Sequence, residues 1–336
     1  MTAPSIVAFL DPVAPEVRAA IEAEAPAGLT LLFATSTARE ERLPIAARAT
    51  VLVGGGGPLP GDLIEASPHL RLVHKWGIGV DKIDLDAAAR RGVPVAITGG
   101  ANAIAVAEYT LMLVLAVLRR LPDNQRRLQN DDFLGARNDA RRFHRQLHGK
   151  IVGLVGLGAV GREVVARLTP FGVTICYFDL LRPSAEIESR LGVAYRPLDD
   201  LIAEVDVLSL HIPYLPANHH LLSRERIARL RPGAIVINTA RGELVDEEAL
   251  AEALVAGHLG GAGIDVFADE PIGGDTPLTC LRLPNLVVTP HLAGSAFDNV
   301  GNVARHIFAN VGRVLTGEPI PARDLIRTEG VAVTSG

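Results

Sequence analysis

The stretch Ile151-Val152-Gly153-Leu154-Val155-Gly156-Leu157-Gly158-Ala159-Val160-Gly161 decides how this chain is read. Its first residues form an apolar run that suits a strand buried on both faces, and Arg162 to Thr169 follows with helical period. The junction carries Gly-x-Gly-x-x-Gly. Gly156 permits a tight turn, Gly158 lets a pyrophosphate approach the backbone, and Gly161 lets helix and strand pack closely, while Ala159 and Val160 present amides at the helix start. The next apolar run, Thr174 to Phe178, ends in Asp179, where an acid can accept hydrogen bonds from an adenosine ribose. Alone, the glycine pattern is weak, because a plain strand-to-helix turn uses the same residues. With strand, helix and acid in place it indicates a dinucleotide-binding unit. Asp179 opposes a 2′-phosphate by charge, so NAD is preferred over NADP. Arg182, nearby in the same loop, reads either as a phosphate partner or as a solvated surface charge.

Working outward, apolar runs at Val193 to Arg196, Val205 to His211, Ala234 to Asn238, Gly263 to Phe267 and Leu286 to Thr289 alternate with helical lengths. Strands so spaced indicate a doubly wound parallel sheet. A complete α/β unit precedes it, with strands expected at Ile6 to Phe9, Leu29 to Phe33, Thr50 to Val53, Leu70 to His74 and Val93 to Ala96. The fold class is therefore α/β, with two Rossmann-like or flavodoxin-like domains. The expected boundaries are 1–100 and 295–336 for a substrate-binding domain and 101–294 for a cofactor domain inserted in it, with hinges near Gly99-Gly100 and Gly294-Ser295. A helix from Ala101 to Arg120 should carry Asn102 as N-cap and Arg119-Arg120 where positive charge suits its carboxyl end. Gln125 to Lys150 reads as a polar, arginine-rich connection. Its cluster of Arg137, Arg141, Arg142, His144 and Arg145 suits a solvated face between domains, or contact with an anionic substrate or a partner subunit.

Composition narrows the function classes. With 33 Lys+Arg against 38 Asp+Glu the net charge is -5, which gives no footprint for nucleic acid. The longest apolar stretch, Ala103 to Leu118, is interrupted by Glu108 and falls short of the ~20 residues of a spanning helix. The beginning of the chain has no basic segment and its apolar run stops at Asp11, so it reads as a first strand rather than a signal peptide. The 2 cysteines, Cys176 and Cys280, fit a cytoplasmic protein and no metal-ligand spacing. No structural metal is expected.

Arg241, Glu270 and His291 each fall just past an expected parallel strand, at the edge where open α/β sheets bind ligands. A guanidinium offers a planar fork for a carboxylate and an adjacent carbonyl oxygen. An imidazole can give a proton to a developing alkoxide and take one back. Glu270 beside it would hold one tautomer and favour the imidazolium. Singly, these residues read equally well as a surface ion-pair partner, a helix-cap acid and a core histidine; together they form a catalytic set.

The chain resembles the D-isomer-specific 2-hydroxyacid dehydrogenase family over nearly its whole length. The resemblance rests on Gly77-Ile78-Gly79-Val80-Asp81, on Asn102 through Glu108, and on the glycine fingerprint with Asp179. It continues through His211-Ile212-Pro213, Asn238-Thr239-Ala240-Arg241-Gly242, Gly263-Ile264-Asp265 with Glu270-Pro271, and Thr289-Pro290-His291-Leu292-Ala293-Gly294. It implies a fold of two domains, NAD as cofactor, a 2-oxo or 2-hydroxy acid as substrate, a D-configured product and a homodimer through the cofactor domain. It also implies Arg241, Glu270 and His291 as catalytic residues, and His211, Pro213, Thr239, Ala240, Asp265 and Gly294 beside the cofactor. Gly77, Ile78 and Gly79 would receive the substrate carboxylate as an amide nest, or form a plain turn.

Departures from the family pattern bear on the substrate. Gly54-Gly55-Gly56-Gly57 stands where phosphoglycerate dehydrogenases carry a phosphate-binding arginine, which argues against the alternative substrate 3-phosphoglycerate. Ile78 replaces the lysine of phosphite dehydrogenases and Glu270 the glutamine of formate dehydrogenases. The tetraglycine loop is expected to be mobile. Because similar corepressors use the same fold as an NAD-sensing binding module, that role stands as the alternative to an enzyme.

Overall fold

In the computed structural model, residues 5–274 and 276–326 are described. Residues 327–336, assigned above to the first domain, lie outside them. Among the described residues the chain divides into two compact units, one of residues 5–102 and 295–326 and one within residues 103–294.

The first unit opens with β1 (Ser5–Phe9), β2 (Leu29–Phe33), β3 (Val51–Gly54), β4 (Leu72–Lys75) and β5 (Val95–Ala96). They are parallel, in the order β2-β1-β3-β4-β5, which is the flavodoxin-like doubly wound arrangement. Helix Val300–Thr316 returns to this unit and lays Val303, Ala304, Ile307, Phe308 and Val311 against Val7, Phe9, Val51 and Leu72. Those residues recur at helical spacing, which makes one continuous apolar stripe. Each valine, isoleucine or phenylalanine side chain of that stripe, fully buried, contributes about 1.5–3 kcal/mol.

Between that helix and β4 lies a buried polar chain. The wholly buried His74 places Nε2 3.2 Å from the Asn310 amide nitrogen, which also donates to Asp324 Oδ2 at 3.3 Å. His306 Nε2 reaches the same carboxylate oxygen at 2.8 Å. Burial holds His74 at a pKa of about 4, so it sits neutral, its Nδ1–H donating to the Lys75 carbonyl.

The tetraglycine loop that follows β3 is pinned, contrary to the mobility expected of it. Asp11 accepts the Gly55 amide on Oδ2 at 2.5 Å and the Gly57 amide on Oδ1 at 3.1 Å, while Lys82 Nζ donates to the Gly56 carbonyl at 3.3 Å. A Cβ on Gly57 would overlap Asp11 Oδ1. The missing side chains therefore bring a carboxylate close to the backbone.

The second unit contains β6 (Ile151–Val155), β7 (Thr174–Phe178), β8 (Val193–Tyr195), β9 (Val207–Leu210), β10 (Ile235–Asn238), β11 (Gly261–Ile264) and β12 (Leu286–Val288). They form one parallel sheet ordered β8-β7-β6-β9-β10-β11-β12. This is the 3-2-1-4-5-6 order of dinucleotide-binding folds with one further strand, and its switch point lies between β6 and β9. Separate apolar cores cover the two faces. One includes Leu201, Leu208, Val236, Leu250 and Ile264, the other Leu113, Val117, Leu154, Val165 and Tyr177.

Several expectations need correction. The helix expected from Ala101 spans Ala103–Leu118, and Asn102 does not cap it, because its buried Oδ1 meets no partner among the described residues. Arg120 ends the run in a left-handed conformation, φ 50°, and a new helix, Leu121–Gln129, starts there. With helix Phe133–Phe143, it occupies much of the stretch read as a polar connection. These helices bury no residue and are held by polar pairs, Arg127 bonding Asp132 at 2.6 Å and Asp139 at 2.8 Å. Arg137, Arg141, Arg142 and Arg145 are exposed. Glu108 is paired, accepting from Arg167 at 3.2 Å. A strand not foreseen, β13 (Leu325–Ile326), pairs antiparallel with β5.

Candidate active site

The residues singled out from sequence in the second unit stand in a row along the carboxyl edge of its sheet. From one side to the other come His291 after β12, Asp265 and Glu270 after β11, Arg241 after β10, His211 after β9, the glycine loop after β6 and Asp179 after β7. Strand order alone thus puts the acid–base candidates at one end and Asp179 at the other.

His291 and Glu270 meet directly. Nδ1 of the imidazole lies 2.6 Å from Glu270 Oε2, and Oε1 of the same carboxylate accepts the Phe267 amide at 3.0 Å. With Nδ1 committed as donor, Nε2 is the nitrogen left for proton exchange. The imidazole is half exposed. Its backbone is left-handed, φ 55°, and its amide donates to the Asp265 carbonyl at 2.7 Å.

Asp265, expected beside the cofactor, is wholly buried, and its carboxylate faces the His291 loop instead. Oδ1 accepts the Thr289 hydroxyl at 2.6 Å and the Leu292 amide at 2.9 Å, and Oδ2 accepts the Ala293 amide at 2.8 Å. Both oxygens are engaged in holding the residues that bracket His291.

Arg241 is presented by an Asx-type turn. The buried Asn238, last residue of β10, accepts the Ala240 amide at 3.0 Å and donates Nδ2–H to the Arg241 carbonyl at 2.8 Å. Gly242 then packs so tightly on Phe267 and Ala268 that any Cβ would overlap their backbone. The Arg241 loop and the loop leading to Glu270 are therefore locked together by a contact that only glycine permits. Asn238 and the Phe267 amide were not foreseen as part of the site. An Asn at a strand end, followed two residues later by a backbone amide in need of an acceptor, is the signal that identifies the former.

The three glycines of the loop differ in the space around them. Gly156 adopts φ 104°, and a Cβ there would lie 2.5 Å from the His211 carbonyl oxygen; a Cβ on Gly161 would overlap the Gly156 carbonyl. A Cβ on Gly158, by contrast, would project into open space, where backbone can meet a phosphate. Helix Ala159–Leu168 starts at this point without a side-chain cap, so the amides of Ala159 and Val160 open its first turn. Asp179 Oδ2 accepts the Leu157 amide at 2.7 Å and Oδ1 accepts the Leu181 amide at 3.0 Å, which ties its carboxylate to the glycine loop.

Other expected cofactor residues are engaged within the protein. Thr239 Oγ1 lies 3.0 Å from Thr110 Oγ1, and the Ala240 carbonyl accepts from Arg241 Nη1 at 2.5 Å. The Pro213 carbonyl accepts Asn218 Nδ2–H at 2.9 Å, and Gly294 closes the His291 loop. His211 Nε2 lies 2.9 Å from Ser209 Oγ; burial lowers its pKa to about 4. In the first unit, Gly77 has φ 115° and its amide donates to Thr98 Oγ1 at 2.9 Å, so of the three amides expected to receive a carboxylate this one is engaged within the protein.

Comparison with known proteins places these features in a family. Residues 111–293 match the model of the D-isomer specific 2-hydroxyacid dehydrogenase NAD binding domain. A glyoxylate reductase of Korarchaeum cryptofilum is 35% identical over 82% of this chain and 82% of its own length. A D-3-phosphoglycerate dehydrogenase of Mycobacterium bovis is 36% identical over 81% of this chain, but the match spans only 50% of that longer protein. Among solved structures, D-lactate dehydrogenase from Aquifex aeolicus, complexed with NAD and lactic acid, superposes with a TM-score of 0.79 at 28% identity, covering 94% of this chain and 96% of that one.

Proposed function

Because the chain belongs to the D-isomer-specific 2-hydroxyacid dehydrogenase family, NAD-dependent oxidoreductases that act on CH–OH groups, we propose that it reduces a small 2-oxo acid to the D-2-hydroxy acid. The observation that carries this reading is the 2.6 Å bond between His291 Nδ1 and Glu270 Oε2, formed after the two strands that follow, in sheet order, the one that presents Arg241.

Bound NADH supplies the hydride for C2 of the substrate. Arg241 binds the carboxylate and polarises the neighbouring carbonyl through its fork of donors. As negative charge grows on the carbonyl oxygen, His291 gives it the proton from Nε2, and Glu270 stabilises the imidazolium before that transfer. In the oxidative direction Nε2 takes the proton back. The open space at Gly158, the uncapped amides of Ala159 and Val160 and the carboxylate of Asp179 suit the pyrophosphate and ribose of NAD.

Within the first unit, the Ile78 and Gly79 amides are proposed as a separate carboxylate-receiving turn. The substrate class is a 2-oxo acid such as glyoxylate, hydroxypyruvate or a bulkier analogue. No arginine or lysine stands in Val51 to Leu59 to take a phosphate, which argues against 3-phosphoglycerate. Exposed Ile104, Met112, Leu121, Leu128, Phe133 and Leu134 of the second unit support a homodimer, which light scattering would test. Among the described residues, no helix is long and apolar enough to cross a membrane. A cytoplasmic location is proposed with this function, and cell fractionation tests it.

The test is NADH consumption against glyoxylate, hydroxypyruvate, pyruvate, phenylpyruvate and 3-phosphohydroxypyruvate, with His291→Ala alongside. The reading expects turnover on at least one unphosphorylated acid and a loss of kcat of at least about 100-fold in the variant, with NADH binding retained. NADH binding by the wild type without turnover on any of them refutes the reductase assignment and favours an NAD-sensing module.

A further inference from the structure

The loop after β7 contains a cation whose partner lies within the fold. Arg182 donates Nε–H to Glu188 Oε1 at 2.7 Å and Nη2–H to Glu188 Oε2 at 2.9 Å, so both carboxylate oxygens occupy the guanidinium fork. The Arg182 Cζ also lies over the Tyr195 ring, 4.7 Å from its centroid. Glu188 is buried, and its Oε1 accepts the Tyr177 hydroxyl at 2.5 Å. Arg182 and Tyr177 together hold the Glu188 carboxyl well below its usual range, at about 2, so it is charged at neutral pH. The same loop begins at Asp179, whose carboxylate is fixed by the Leu157 and Leu181 amides beside the glycine loop.

We propose that Glu188 masks Arg182, taking the place that the 2′-phosphate of NADP(H) would otherwise occupy, and that this internal pair, together with Asp179, makes the site selective for NAD(H). A guanidinium fork binds a carboxylate or a phosphate with the same geometry, but not both through the same donors. A cofactor phosphate would have to displace a carboxylate that is buried, bonded to Tyr177 and fixed on a helix, Ala185–Leu191, and would leave it without its cation. Asp179 adds like-charge repulsion from the start of the loop. Arg182 is therefore a latent phosphate ligand, and Glu188 is the residue that keeps it so. This inference rests on the NAD-dependent reading and goes beyond it by naming what sets the cofactor preference.

Calorimetric titration with AMP and with 2′-phospho-AMP tests it without relying on turnover. The wild type should bind AMP and discriminate against the 2′-phosphate. Glu188→Gln, which keeps the side-chain shape and removes the charge, should raise affinity for 2′-phospho-AMP about tenfold and leave AMP within about threefold. Adding Arg182→Ala to that variant should abolish the gain. Asp179→Ser provides a check that does not depend on the packing around Glu188. With the mask intact, its ratio of 2′-phospho-AMP to AMP affinity should be insensitive, within about threefold, to a further Arg182→Ala change. The mask is refuted by a folded Glu188→Gln variant whose ratio equals the wild type's, by a gain that survives loss of Arg182, or by an Asp179→Ser gain that requires Arg182. Failure of the wild type to bind either AMP or NADH would overturn the nucleotide reading itself, and the mask with it.

Discussion

Asp265→Asn separates two roles that a buried acid beside the cofactor edge can have. In the structure Oδ1 takes two donors, the Thr289 hydroxyl and the Leu292 amide, and Oδ2 takes the Ala293 amide. Asparagine can present its carbonyl oxygen to the first pair, but its NH2 group then faces the Ala293 N–H, donor against donor, where no water reaches. Loss of one bond to a charged acceptor costs about 1.5–3 kcal/mol, and the remaining bonds weaken when the charge goes. In a unit of this size that corresponds to a fall of roughly 5–10 °C in the melting temperature. The bonds lost hold Leu292 and Ala293, so the displacement is delivered to His291, and a shift of about 1 Å at this proposed proton donor is worth up to about 100-fold in kcat. The assays are thermal unfolding, steady-state kinetics on the preferred 2-oxo acid, and NADH affinity by fluorescence. The expectation is a lower melting temperature and kcat with NADH affinity within about threefold. A variant with unchanged melting temperature and kcat but much weaker NADH binding refutes the argument and makes Asp265 a cofactor contact.

Other perturbations follow from the same geometry. Gly161→Ala places a methyl group on the Gly156 carbonyl and must push the helix off β6; we expect about 1–3 kcal/mol of destabilisation and NADH affinity at least about tenfold weaker, read by thermal melts and calorimetry. His74 and His211 are both held neutral, with pKa values lowered by burial from 6.5 to about 4, so as pH falls below 6.5 the unfolded chain takes up protons that the folded chain refuses. Stability should be full above that pH, decline from about 6.5 to about 4 by up to about 3 kcal/mol per histidine, and level off below. Urea unfolding of His74→Gln should show a flatter decline over that window, and a slope equal to the wild type's would remove His74 from the account.

The sheets were legible because buried parallel strands write continuous apolar runs, and β6 and β7 begin and end where the sequence places them. β11 ends at Ile264, earlier than expected, because the apolar run continues past it through Val266 and Phe267 into a turn. The helices Leu121–Gln129 and Phe133–Phe143 were hidden because they bury no residue and their few apolar side chains are spread thinly among polar and charged ones. β13 exists only by pairing with a strand far back in the chain, which no local pattern encodes. At the site, residue type and strand-end position were enough to single out Arg241, Glu270 and His291. The partners of Asp265 and Glu188 were not legible, since each depends on which backbone or guanidinium group folds back onto it. Residue type says that a buried acid needs donors; only the three-dimensional path of the chain says whose they are.

The left-handed backbone of His291 bears on how such a protein can change over evolutionary time. A non-glycine residue there costs about 1–2 kcal/mol, a cost that asparagine carries more lightly and glycine escapes. The residue proposed to perform the proton transfer is thus one that conformational preference alone would replace. Selection for stability and selection for turnover pull this position in opposite directions. A descendant relieved of catalysis and kept only for binding nucleotide would be free to drift to asparagine or glycine at this position. The identity of residue 291 in related chains is therefore a physical marker of whether chemistry is still being maintained.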